Sequence, residues 1–518
     1  MPCYTYFMKK CFIPYFSLIL VSFFITSCCR VEKEKVSPQI PPQAEYKSSY
    51  EPQLQSPMPV IRIQSDSGKN DFVSVPLSDA VKKHMLTWGQ VNESPSPWYE
   101  KCKVSVSGGE SDLVDLPAKV KVRGNWTTSY EKKPLRINFT KKQSLLGLNG
   151  GREFRNWVLL AMHKDWSMLR DASALYIGKL ISPDYSSDFA FVEVYVNSEY
   201  WGVYLLCEQQ EVRKGRIEIT SPKKDYKNTD TGYLIEFDGY YFTEKNSFEI
   251  DYLGEIRDFY GTPISTALNS GYTIKSKVTD PNQKAFIESY MNNLWKVCYS
   301  AVYEKKFYEF NDDFTGLREA MKISSSYDCV SRYIDLESLV NAYILNEIVC
   351  DPDLYWSSLF MDIDFSPQGA KKLKFEAFWD FDSALGNKNF CADSEGLFAA
   401  QVSWDVNHMK KGTGNPWMFI FAGTDWFQAM VEKKWESLHA QNISSKLENF
   451  IQSVQSLYAR DFARNTARWD NIGEDKPGAF ELCEASKVCK NQAESARYLQ
   501  AWLSKRFLEL DRLWLAKR

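Results

Sequence analysis

The feature that most constrains the fold of this chain is a change of hydrophobic period near its middle. Up to about residue 237 apolar residues mostly alternate with polar ones, as half-buried strands require. Beyond about residue 284 they recur at spacings of three and four, as helices packed on one face require. In the first half, residues 59–63 read as a strand ended by the turn Ser65-Asp66-Ser67-Gly68. Residues 119–123 and 134–139 alternate on either side of a polar loop holding Gly124, Asn125, Thr127, Thr128 and Ser129, which predicts a hairpin. Residues 191–196 and 200–206, joined by Asn197-Ser198-Glu199, predict a second one, and residues 232–237 a further strand. One helix interrupts this series. After the apolar run 156–162, Asp165 stands where it can cap a helix through Met168, Leu169, Leu175, Tyr176 and Leu180. In the second half, residues 284–307 and 338–349 carry helical spacing. A hairpin follows over 358–363 and 373–379, around Pro367-Gln368-Gly369, and the chain is mostly helical from Trp426 except for a break at 473–478. The pattern is α+β: a β-rich region of about 58–240, then a helical one of about 241–518.

The first 57 residues do not share this patterning. Lys9 and Lys10 precede an apolar stretch, residues 12–25, that is short for a membrane span. It ends in Ile25-Thr26-Ser27-Cys28, which resembles a bacterial lipobox, so residues 1–27 are expected to be a signal peptide and Cys28 the lipidated residue. Cys29, an ordinary signal peptide and an uncleaved anchor helix are the competing readings. Residues 28–57 are rich in Pro, Ser, Gln, Glu and Lys and are expected to be a flexible tether. The mature chain is then extracytoplasmic and lipid-anchored to a bacterial membrane. Export permits disulfides, and Cys483 and Cys489 could pair across a short loop; small buried thiols are the alternative. The balance of 63 Lys+Arg against 66 Asp+Glu argues against a dedicated nucleic-acid binder. Four histidines, with no His/Cys cluster at zinc-ligand spacing, argue against zinc chemistry.

Two groups of residues could carry chemistry. The first is acidic. Asp351-Pro352-Asp353 follows the helix over 338–349, where proline ends the helix and holds the aspartates in a turn. Trp379-Asp380-Phe381-Asp382 lies at the end of the following hairpin, which can bring the two acidic groups close. Crowded carboxylates repel and lose solvation, and a divalent cation relieves both costs. A solvated turn beside an unrelated acidic loop is an equally weighted alternative on the residues alone. The second group is basic: Arg123 after one strand, Lys132, Lys133 and Arg136 at the start of the next, and Arg170 on the helix. Alternation puts Lys133 and Leu135 on one face with Lys132, Pro134 and Arg136 opposite. Phosphate binding is one reading of this set, and simple exposure is the commoner one. The loop Gly147-Leu148-Asn149-Gly150-Gly151 lacks the lysine and helix of a P-loop, and no Gly-x-Ser-x-Gly occurs with a supporting His and Asp.

Nine short segments, in order, resemble the CotH (spore coat protein H) kinase family over residues 58–515. They are Pro59-Val60-Ile61, Lys121-Val122-Arg123-Gly124-Asn125, residues 132–139, residues 156–161, Leu169-Arg170, residues 202–206, residues 232–236, Tyr333-Ile334-Asp335, and Trp379-Asp380-Phe381-Asp382 with Gly386-Asn387 behind it. The resemblance implies an atypical protein-kinase-like fold with a β-rich N-lobe and a helical C-lobe. It implies transfer of the ATP γ-phosphate to protein serine hydroxyls with Mg2+ or Mn2+. On this resemblance Asp353 is the catalytic aspartate, Asp380, Ser358 and Asp382 hold metal, and Lys133, Arg136 and Arg170 meet phosphates. Residues 206–208, ending at Glu208, are a hinge that meets adenine through its backbone. The expected partners are a protein substrate and the membrane, and the chain is expected to be a monomer.

This sequence departs from the family pattern at two positions. Ser358 stands where a metal-binding asparagine is expected, and Asp351 where asparagine is expected. Both leave open a catalytically inactive envelope lipoprotein, acting as a binding or structural module on the same fold. A metal-dependent nuclease is disfavoured, because Phe378 stands where a PD-(D/E)xK site needs lysine.

Overall fold

A computed structural model of the chain describes residues 45–75, 97–264, 270–390, 392–402 and 414–515. The chain divides into two compact units, Met1–Pro38 and Gln39–Arg518, and every described residue belongs to the second. The expected signal peptide and Cys28 lie outside the described residues.

Seven strands form a closed barrel: β1 (Val60–Ser65), β2 (Glu100–Ser107), β3 (Leu113–Val122), β4 (Leu135–Gln143), β5 (Phe154–Leu160), β6 (Phe189–Val196) and β7 (Glu199–Glu208). Their order is β1-β2-β3-β4-β5-β7-β6, and closure comes from parallel pairing of β1 with β6, Val60 against Glu193. Both predicted hairpins form. β3 pairs with β4 through Val120 and Ile137, and β6 with β7 across Asn197 and Ser198, both at positive φ. The alternation places Ile61, Ile63, Val104, Val120, Ile137, Val192 and Leu206 in the barrel interior, where they form a hydrophobic core of their own.

The predicted helix, α1 (Arg170–Ile181), lies between β5 and β6 and is buried on nearly every side. Its N-cap is Leu169 and not the expected Asp165, so Met168 and Leu169 precede the helix; Asp165 lies in the turn ahead and accepts hydrogen bonds from the Leu169 and Arg170 amides at 2.9 and 2.8 Å.

The second half is less helical than its spacing suggests. It contributes β9 (Ser247–Phe248), β10 (Gly271–Ile274), β13 (Leu359–Asp364) and β14 (Lys374–Phe375), besides a separate pair, β11 (Tyr308–Phe310) and β12 (Leu317–Glu319). These join β8 (Gly232–Asp238) in a five-stranded antiparallel sheet, β14-β13-β8-β10-β9. A division at about residue 240 would therefore detach β8 from its partners; the sheet puts the boundary between β7 and β8. Helices α2 (Pro281–Tyr299), α3 (Leu336–Val349), α4 (Asp425–Ala440), α5 (Ile443–Trp469) and α6 (Gln492–Trp514) complete the unit. The Asp280–Gln283 capping box starts α2, and Asp335 caps α3.

The barrel touches the helical part most closely where β7 meets α5. Gly202 has φ +111°, and a Cβ there would lie 2.5 Å from Asn465 Oδ1 and 2.7 Å from Trp469 Nε1, so only glycine admits this approach. The tether does not stay loose up to Pro57. From residue 45 it lies along the domain: Tyr46 donates to the Lys179 carbonyl, Tyr50 to Asp188, and the Gln55 backbone exchanges two hydrogen bonds with Tyr458. The Tyr50 ring packs on Tyr176 of α1 and the Tyr46 ring lies by Lys434 of α4, contacts that a polar composition average conceals. Cys483 and Cys489 are both buried free thiols, so of the two readings that of small buried thiols holds and the pairing is not formed.

Candidate active site

Between barrel and second sheet lies a cleft of about 720 Å3. Its barrel wall carries Arg123 and Trp126 from the β3–β4 connection, Arg136 from β4, and Gln209, Gln210 and Glu211 beyond β7. The opposite wall carries Glu236 and Asp238 from β8, Lys275 beyond β10, Asp353, Ser358, Asp380 and Asp382. Local structure explains the acidic positions. Helix α3 stops at Val349 because Cys350 turns left-handed, φ +48°. Asp351 then accepts from the Asp353 amide at 3.2 Å, and Pro352 starts a short turn that carries Asp353 to the cleft. Asp380 sits beyond the end of β14 at φ +70°, an uncommon conformation for a residue with a Cβ. It is held because its neighbours are tied down. The Phe381 amide donates to Asp171 at 2.9 Å, Arg170 Nε donates to the Ala384 carbonyl at 3.1 Å, and Asn387 donates to the Asp382 carbonyl at 2.8 Å.

Electrostatics mark the same residues. Burial, then the charges of Asp382 and Asp353, push the Asp380 carboxyl up to about 7. Burial also raises Asp353, against the opposing pull of Lys388 and Lys164. Glu236 rises to about 7, again mainly through burial. Across the cleft, burial and Arg136 lower Arg123. The Nε atoms of Arg123 and Arg136 are buried without a hydrogen-bond partner among the described residues. Half-buried cationic side chains with an unsatisfied Nε donor are matched to an anion.

Five of the expected site residues therefore meet in one cleft: Asp353, Ser358, Asp380, Asp382 and Arg136. Three do not. Lys133 donates its ammonium hydrogens to the Thr128 and Tyr130 carbonyls beneath the β3–β4 connection. Lys132 is also buried, on Asn465 and the Val203 carbonyl, so both lysines lie inside and strand alternation does not govern them; β4 begins only at Leu135. Arg170 is fully buried, ion-paired with Asp165, and acts on the cleft through the Ala384 carbonyl. Glu208 is paired with Arg216 at 3.0 Å, and the residues reaching the cleft are the next three, 209–211.

The sequence reading missed a second set of charged groups. Lys164 lies 3.0 Å from Asp382 and 3.8 Å from Glu481, and Lys388 lies 3.5 Å from Glu481. Burial works against the Lys164 ammonium, but Asp382 and its other anionic neighbours outweigh it and hold its pKa well above the usual value. Glu481 also accepts from Trp126 at 2.9 Å and from Tyr130. It comes from the break after α5, far from the motifs in sequence, and no local pattern announces it.

Among the described residues no group of three or more His, Cys, Asp or Glu side chains is arranged to hold a metal by itself. Magnesium does not need such a cage, since it binds through one or two carboxylates completed by phosphate oxygens and water. Asp380, half-buried beside Asp382 and Asp353 and within the field of Arg123, fits that kind of site. Asp382 is already neutralised by Lys164. No curated protein matches the chain. Residues 120–509 match the family model described as CotH kinase protein, and with most of its length covered the chain belongs to the CotH kinase family.

Proposed function

We propose that the chain is an extracytoplasmic, lipid-anchored kinase that transfers the ATP γ-phosphate to serine hydroxyls of a protein, acting as a monomer with Cys28 lipidated. On this reading the barrel and the second sheet with its helices are the two lobes of an atypical protein-kinase-like fold. The observation that carries it is the meeting of Asp353 and Asp380 in one cleft opposite Arg123 and Arg136. When bound, Mg2+ or Mn2+ would neutralise phosphate charge and polarise the transferred group. Asp380 would hold that ion, and Ser358, which lines the same cleft, would share it. Arg123 and Arg136 bind phosphate oxygens, their Nε donors having no protein acceptor among the described residues. Asp353 orients the acceptor hydroxyl and takes its proton; its raised pKa suits a group that must accept one. Residues 209–211 border the nucleotide end of the cleft.

Incubating the full chain with labelled ATP and Mg2+ or Mn2+, alone and with serine-containing protein, tests this. Transfer that disappears in Asp380→Ala and Asp353→Asn supports it. One observation favours a non-catalytic envelope protein instead: Lys164 already pairs with Asp382, one of the carboxylates expected to bind metal. Absence of both transfer and a metal-dependent melting shift with ATP would select that reading.

A further inference from the structure

Lys388 is held more loosely than its neighbour Lys164. Its ion pair with Glu481 is long, at 3.5 Å, and its side chain keeps 18% of its exposure, against 3% for Lys164. Glu481 does not depend on it. That carboxylate is 7% exposed and is also held by Trp126, Tyr130 and Lys164. The Lys388 ammonium can therefore leave Glu481 without stranding a buried charge. It also faces the centre of the acidic wall: after burial, Lys388 is the strongest influence on the Asp353 carboxyl, ahead of Lys164. A loosely paired cation beside Asp353, on the loop that carries Asp380, is placed where negative charge moves during phosphoryl transfer.

We propose that Lys388 is a catalytic residue, whose ammonium moves from Glu481 onto the phosphoryl group as it passes from nucleotide to acceptor. The inference rests on the kinase reading above. In the step, the acceptor oxygen bonds to the terminal phosphorus while the bond from that phosphorus to its bridging oxygen breaks. The hydroxyl proton passes to Asp353, and the nucleoside diphosphate departs with the bonding electron pair. Lys388 gains and loses no proton; its charge offsets charge that builds on the equatorial and bridging oxygens. Lys164 remains on Asp382 and Glu481 throughout.

The test uses the full chain with Lys388→Met and Lys388→Arg. Mg2+–ATP affinity is measured by calorimetry, transfer with labelled ATP, and transition-state binding with ADP plus aluminium fluoride. Lys388→Met is expected to lower kcat about 100-fold, the effect typical of losing one charge-stabilising donor. ATP affinity should stay within about threefold, whereas the tight complex with ADP and aluminium fluoride should be lost. Lys388→Arg should restore most of kcat. If Lys388→Met transfers phosphate at the parental kcat, or binds ADP–aluminium fluoride as the parent does, the inference is wrong and the kinase reading survives. If the parent itself neither binds Mg2+–ATP nor transfers phosphate, the kinase reading fails and takes the inference with it.

Discussion

Lys164 and Asp382 meet at 3.0 Å with both side chains nearly inaccessible, so a permanent ammonium already neutralises one of the aspartates of the Trp379-Asp380-Phe381-Asp382 segment. Asp380 and Asp353, by contrast, have no ion pair within 4 Å among the described residues, and this separates their roles from that of Asp382. Asp380→Asn is expected to abolish Mg2+-dependent ATP binding measured by calorimetry. Asp353→Asn should bind ATP within a few-fold of the parent and lose about 100- to 10,000-fold in transfer, the range for removing a general base. Equal transfer by parent and Asp353→Asn would show that Asp353 is not the proton acceptor.

On the proposed reading metal binding requires the Asp380 carboxylate, and its carboxyl is pushed up to about 7 by burial and like charge. Mg2+–ATP affinity should therefore fall as pH drops below 7, approaching about tenfold per pH unit. Without metal the sign for stability is opposite. The folded state holds this proton more tightly than the unfolded chain, so the site's contribution declines as pH rises from the ordinary carboxyl range towards 7. Melting curves from pH 5 to 8 should show Mg2+–ATP stabilising most at the alkaline end. A flat affinity profile would remove Asp380 from the metal site.

Arg136 and Arg170, both expected to meet phosphate, should now behave differently. Arg136→Ala should weaken ATP binding at least about tenfold, by loss of a charge-assisted contact, with little change in melting. Arg170→Met strands the buried Asp165 carboxylate and should cost about 3–5 kcal/mol of stability, read by denaturant unfolding. Reversal of the two phenotypes would return Arg170 to the ligand set.

His163 supplies an acid sensitivity of its own. Burial, helped by the Lys132 and Lys133 charges, lowers it to about 3, with its ring stacked on Tyr130. It stays neutral in the folded state, so stability from this site is present above about pH 6.5 and lost as pH falls towards 3, at up to about 1.4 kcal/mol per unit. His163→Phe should flatten the decline in melting temperature between pH 6.5 and 4.

Much of this architecture was legible along the chain. Alternation located the barrel strands, and the hairpin turns appeared where polar residues cluster. The acidic cluster was legible because helix end, proline and hairpin are local signals with predictable geometry. What local pattern could not show was partnership across the chain. Lys133 looks like a surface base next to a strand, yet two carbonyls of its own loop claim it. Glu208 looks like a hinge, and Arg216 fixes it away from the cleft. Glu481 carries no motif at all, and only the return of the chain after α5 puts it beside Lys164 and Lys388. The strands β9, β10 and β14 are two to four residues long, too short for any period to register, and they owe their existence to pairing: β14 on β13, β10 on β8, and β9 on β10.

The barrel is sealed by its earliest stave. Because β1 bridges β2 and β6, a fragment trimmed to the family-matched span, residues 120–509, would begin inside β3 and leave two raw strand borders facing water. Such a truncation invites self-association, and it also discards the segment at 45–57 that clasps α1 and α5. The stretch that looks most dispensable by family boundaries is the piece that turns an open ribbon into a ring.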